Sequence, residues 1–111
     1  MDLVEPTAHA SIVRAVLEEY AAFAPSQGEV EVELVADEAH GHFELLYVGW
    51  EGWRRIHGVV VHVDLRGDEV WVQHDGTEGG IADAIIARGV DPRRVVLAFQ
   101  HPYMGSLPAA G

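Results

Sequence analysis

From residue 29 to residue 75 the chain alternates at period two almost without a break, and the only interruptions are short clusters of turn residues. Val30, Val32 and Leu34 alternate with Glu29, Glu31 and Glu33, the pattern of a strand with one buried and one solvated face. Residues 37–41 form a polar turn. In residues 42–50, Phe43, Leu45 and Tyr47 share one side while Leu46, Val48 and Trp50 share the other, which predicts a central strand covered on both faces. Glu51 and Gly52 suit a hairpin turn into the longest strand, residues 54–66. There His57, Val59, Val61, Val63 and Leu65 make the expected core face, and Ile56, Gly58, Val60, His62 and Asp64 the opposite one. A tight turn at Arg66-Gly67-Asp68 leads into residues 69–75, where Val70, Val72 and His74 alternate with Trp71, Gln73 and Asp75. Connections this short join antiparallel neighbours, because a parallel pair needs a crossover of a dozen or more residues.

The flanks read differently. Over residues 7–24, Ile12, Val16, Tyr20 and Phe23 recur at helical spacing, with Arg14 and Glu18 one turn apart on another face. Pro6 starts this helix, and Pro25, Ser26 and Gly28 end it. After Asp75-Gly76, Thr77 is a candidate N-cap for a second helix with Ile81, Ala82, Ile85 and Ile86 on its apolar side and Gly89 as its stop. Asp91-Pro92 resembles a cap followed by proline at the first helical position, giving a short turn. Residues 95–99 are a β-branched run suited to a fifth strand, although period alone does not separate it from a buried helix. The tail at 105–111 is expected to fray. The fold expected is α+β: an N-terminal helix, an antiparallel four- to five-stranded meander and a C-terminal helix, in a single domain spanning 1–111.

Composition narrows the chemistry. Without cysteine there are no disulfides, thiolate nucleophiles or thiolate metal sites. The formal charge of −11 repels phosphate backbones and anionic membranes, so direct DNA binding by this chain alone is not expected. The opening residues carry no targeting pattern and no apolar run is long enough to span a bilayer, so a cytoplasmic location is the expectation. No phosphate-cradling glycine loop, nucleophile elbow or two-histidine zinc helix is present, and no catalytic residue, metal or cofactor is assigned.

Several residues still stand out. His62 and Asp64 fall on one strand face beside Gln73, Asp75 and Glu78, a set able to hold a divalent metal or an acid/base pair. The more frequent outcome is a polar network in which Asp75 and Glu78 favour the helix start. His40 and His42 flank a glycine in a turn and read as solvated. Trp50 and Trp71 are expected in the core, whereas Trp53, at a hairpin beside Arg54 and Arg55, has the composition of an exposed interface anchor. The more frequent fate of those arginines is cross-strand pairing with Glu51, Glu44 or Glu69. Glu29, Glu31 and Glu33 make an acidic strand face, and His101 stands near the end of the chain.

The ordered run Val48-Gly49-Trp50, Arg55, Gly58, His62-Val63-Asp64, Val70-Trp71-Val72-Gln73, Asp75-Gly76-Thr77-Glu78, Ile81-Ala82, Gly89-Val90 and residues 95–99 with His101-Pro102 resembles the XisI family, the fdxN element excision controlling factor. Tyr20, Pro25, Gly28-Glu29 and Asp37 fit the same pattern, so the resemblance runs from about Val13 to Pro102. It implies a small α+β accessory protein, not an enzyme, acting with an XisH-like, nuclease-fold partner in excision of a DNA element by a site-specific recombinase. The expected partner-binding residues are Glu29, Glu31, Glu33, Trp53, Arg54, Arg55 and His101. A small metal- or ligand-dependent enzyme using His62, Asp64 and Asp75 is the alternative, and self-association through Trp53 is the third.

Overall fold

Each short turn returns the chain beside the strand it has just left. The computed structural model describes residues 3–23 and 29–100; the N-terminal helix stop, His101 and the tail at 105–111 lie outside the described residues. β1 (Glu29–Asp37), β2 (His42–Glu51), β3 (Arg54–Arg66) and β4 (Glu69–Asp75) pair in sequence order, all antiparallel. Gly52 and Gly67 supply the positive φ of 61° that tight hairpin turns require. β5 (Val95–Leu97) then adds beside β4 in parallel, reached through α2 (Ile81–Ala87) and a 3₁₀ turn, Pro92–Arg94. The sheet is therefore a mixed one, and residues 95–99 resolve into three strand residues followed by a turn.

α1 (His9–Phe23), preceded by a 3₁₀ turn at Pro6–Ala8, packs with α2 on the same side of the sheet. Between them lies one core: Phe43, Leu45, Val61, Val63, Val70 and Val72 from the strands, Val13, Val16 and Leu17 from α1, and Ile81, Ile85 and Val90 from the second helical unit. Burying each such side chain contributes about 1.5–3 kcal/mol. The stripe of α1 is rotated from the one expected. Val13 and Leu17 lie at its centre, while Ile12 and Tyr20 flank it and Phe23 is 86% exposed.

Two bulges reset the faces of the sheet. Leu45 pairs with Val61 but Leu46 with Val59, leaving Val60 as an extra residue in β3. Beyond it the alternation inverts: Val60 and Ile56 turn toward the covered side, while His57 and Val59, expected in the core, are exposed. A second irregularity leaves Gln73 unpaired between Val72 and His74, which moves His74 to the open side and Asp75 to the covered side. A bulge inserts one residue and so shifts the period-two register by one, which no reading of alternation along a single strand detects.

Trp50 and Trp71 do not enter the core. Trp50 is 45% exposed and lies on the face away from the helices, as does half-buried Trp71. β2 is likewise covered by helices on one side only, with Leu46 and Val48 half-buried among neighbouring side chains of the open face. Gly49 permits the close approach of the first two strands, since a Cβ there would lie 1.9 Å from the Glu29 carbonyl oxygen.

Candidate functional site on the open sheet face

Register determines which side chains meet on the face that no helix among the described residues covers. At one end, His42 of β2 stands opposite Asp64 of β3, and Glu44 opposite His62, giving a square in which imidazoles and carboxylates alternate. His42 Nδ1 lies 2.7 Å from Asp64 Oδ1, and its Nε2 lies 2.8 Å from Glu44 Oε2. Both ring nitrogens therefore face carboxylates. The hydrogen bond to Glu44, then that to Asp64, holds the His42 imidazole above its ordinary pKa. Asp64 responds oppositely. Burial acts to raise it, but His42, His62 and an amide from Gln73 Nε2 at 3.1 Å outweigh that and hold its carboxyl below the usual range.

His62 is the incomplete member. Its Nε2 lies 3.1 Å from Asp64 Oδ2, yet the approach lacks hydrogen-bond alignment and the buried nitrogen has no hydrogen-bond partner among the described residues. The His42 and His62 rings meet edge to face, centroids 4.8 Å apart. One donor atom each from His42, His62 and Asp64 lies within 4.8 Å of the others, and all three residues are half-buried.

The residues grouped by sequence reasoning divide here. His62, Asp64 and Gln73 come together, joined by His42 and Glu44, while Asp75 and Glu78 do not join them. The Asp75 carboxylate accepts hydrogen bonds from the Thr77 and Ile81 amides, at 2.9 and 2.7 Å, and from the Thr77 hydroxyl, at 2.6 Å. Asp75 thus caps α2 from upstream, Thr77 accepts from the Gly80 amide, and the helix begins at Ile81 rather than at Thr77. Glu78 is exposed before that helix. His42 was read as half of a turn pair with His40, but the two diverge: His40 bonds Asp37, and His42 enters the square. The signal for this was the matched i, i+2 spacing of His42/Glu44 and His62/Asp64, which becomes a square only once strand register is known.

Toward the β2–β3 hairpin the open face carries Trp50 and an acidic row, whereas Trp71 stands opposite Asp64 beside the square. Glu29, Glu31 and Glu33 are exposed on β1, an edge strand of the sheet. Glu29 stands opposite Trp50, which stands opposite Arg55. The Arg55 guanidinium carbon lies 5.3 Å from the Trp50 ring centroid, and Arg55 Nη1 donates to the Gly49 carbonyl. Arg54 approaches Glu51 at 3.9 Å, and Trp53 at the hairpin tip is 99% exposed. Arg93 and Arg94 are tied to Asp91 and Asp68.

A five-stranded mixed sheet with both helices on one side and a polar, partly aromatic opposite face defines an α+β protein. The chain belongs to the XisI family, whose model, described as XisI protein, matches residues 1–108. It is similar to a XisI-like protein from Anabaena variabilis, at 31% identity over 89% of this chain and 91% of that one, TM-score 0.83. It also shares its fold with the fdxN element excision controlling factor XisI from the same organism, at 21% identity over 90% of this chain and 98% of that one, TM-score 0.76. No curated protein matches the sequence significantly. No helix among the described residues is long and apolar enough to cross a membrane.

Proposed function

We propose that this chain is an accessory regulator of DNA element excision that acts by docking a basic, DNA-handling partner of the XisH type, in the cytoplasm and without catalysis of its own. The observation that carries this reading is the continuous row of exposed Glu29, Glu31 and Glu33 on an edge strand, set against Trp50, Arg55 and the exposed Trp53 on an open sheet face. Acidic rows beside aromatic anchors suit a cationic protein surface, because complementary fields speed encounter while buried aromatics hold the complex. They do not suit DNA. With a net charge of −11, and with Arg14, Arg54, Arg88, Arg93 and Arg94 each beside a carboxylate, the chain offers little to a phosphate backbone. The chain would then reach the recombinase complex through its partner, and symmetric self-association through the same face would compete with docking.

The test is association with an XisH-like protein, followed by stopped-flow fluorescence at low and moderate salt. The variant Glu29→Gln/Glu31→Gln/Glu33→Gln should associate on the order of tenfold more slowly at low salt and lose most of the salt dependence. A wild-type chain that stays separate from the partner at both salts would refute the reading, as would a triple variant with unchanged kinetics.

A further inference from the structure

His42, His62 and Asp64 belong to the square on the open face, and the docking proposal does not use them. We propose that these three side chains bind a divalent first-row transition cation of the zinc type, with His42 Nδ1, His62 Nε2 and the Asp64 carboxylate as ligands and the fourth position open to solvent.

Four observations converge. Donor atoms of all three residues already lie within 4.8 Å of one another. His62 Nε2 is buried, points toward Asp64 and has no hydrogen-bond partner, as befits a nitrogen whose partner is an ion. The groups that would surround the ligands are also in place. Glu44 Oε2 sits 2.8 Å from His42 Nε2, the carboxylate–imidazole arrangement that orients a ligating histidine, and Gln73 Nε2 holds the second oxygen of Asp64. Finally, the ligands project from β2 and β3, paired strands that fix them better than loops would.

Two imidazoles and a carboxylate, with no thiolate, favour zinc and its neighbours over calcium or magnesium, which prefer oxygen alone. A divalent cation would find two carboxylates, Asp64 and Glu44, around the paired imidazoles. The two separations to Asp64 are near those of a metal site, and the donors as a set lie within 4.8 Å. Tetrahedral zinc holds its donors about 3.3 Å apart, against 2.7 Å for His42 Nδ1 to Asp64 Oδ1 and 3.1 Å for His62 Nε2 to Asp64 Oδ2. Without metal, the hydrogen bond between His42 Nδ1 and Asp64 Oδ1 spans the same place, and a cation would replace it.

The test uses the full chain stripped with a chelator and titrated with Zn²⁺ by calorimetry, and with Co²⁺ by visible absorption. The expected result is saturable binding of one cation per chain, with the intense visible bands of four-coordinate cobalt. His62→Ala and Asp64→Asn should abolish it, Glu44→Gln should weaken it about tenfold to a hundredfold, and His40→Gln, which alters an exposed side chain outside the square, should leave it unchanged. Circular dichroism of each metal-free variant establishes folding, and His42→Gln serves where either ligand variant misfolds. No saturable binding to the wild-type chain would overturn the proposal. So would binding that survives in folded ligand variants, which would make it adventitious at surface histidines.

Discussion

The covered and open faces of the sheet are built from the same strands, one residue apart, yet they treat histidine in opposite ways. On the covered side His9 of α1 is 1% exposed and its Nε2 has no hydrogen-bond partner. Burial first, then the charge of Arg94, pushes its pKa down, so it is held neutral as part of the core. On the open side His42 lies between two carboxylates that raise its pKa. Both are imidazoles near one sheet, and the difference lies in what packs against them. Apolar surface removes charge from a titratable group, whereas a half-solvated square of carboxylates sustains it. The covered face therefore carries stability, and the open face carries polar chemistry at limited cost to the fold.

The largest expected contrast is in truncation. Phe43→Ala removes a fully buried side chain and should cost about 3–5 kcal/mol in urea unfolding. Trp50→Ala, on the open face of the same strand, should cost less than about 1 kcal/mol, since what it loses is a half-exposed stacking partner of Arg55. Comparable losses at the two positions would break the distinction between the faces. Asp75→Ala should destabilise by about 1–2 kcal/mol, because it leaves the Thr77 and Ile81 amides without their acceptor. It should leave cation binding at His42, His62 and Asp64 unaltered, which calorimetry would check.

The pH dependence sharpens the comparison. His9 binds its proton more weakly in the folded chain, so the unfolded state carries more protons below about pH 6.5 and stability falls as pH drops through that range. His42 acts in the reverse sense: its contribution is complete below about pH 6.5 and is lost as pH rises through its raised folded value. Urea midpoints measured with chelator from about pH 5 to 8 should therefore fall less steeply with acid in His9→Gln and more steeply in His42→Gln. Parallel profiles would remove the opposition. The smallest effect is expected at the hairpin tip, where Trp53→Ala should change stability by no more than about 0.5 kcal/mol while weakening capture of an XisH-like partner.

Much of the architecture was legible in the chain. The alternation of Glu29, Glu31 and Glu33 with Val30, Val32 and Leu34 marks a strand with one solvated face, and β1 is that strand, placed by the fold at the edge of the sheet. Gly89, with φ of 107°, ends α2 where expected, and Asp91 accepts from the Arg93 amide ahead of its 3₁₀ turn. The candidate site was legible only in part. His62, Asp64 and Gln73 were grouped from spacing within strands, but His42 and Glu44 belong to another strand and enter through register. Asp75 shared a face with Gln73 until the bulge at Gln73 turned it toward α2.

Local pattern and turn chemistry by themselves determined the element order, the antiparallel pairing of the first four strands, and the acidic strand face, because period, caps and hairpin length act within a few residues of chain. Tertiary structure alone decided three things: the parallel placement of β5, the side of the sheet that the helices cover, and the meeting of His42, Glu44, His62 and Asp64. Each depends on contacts between segments distant in sequence, and a bulge of a single residue reverses every face beyond it without leaving a mark on the local pattern.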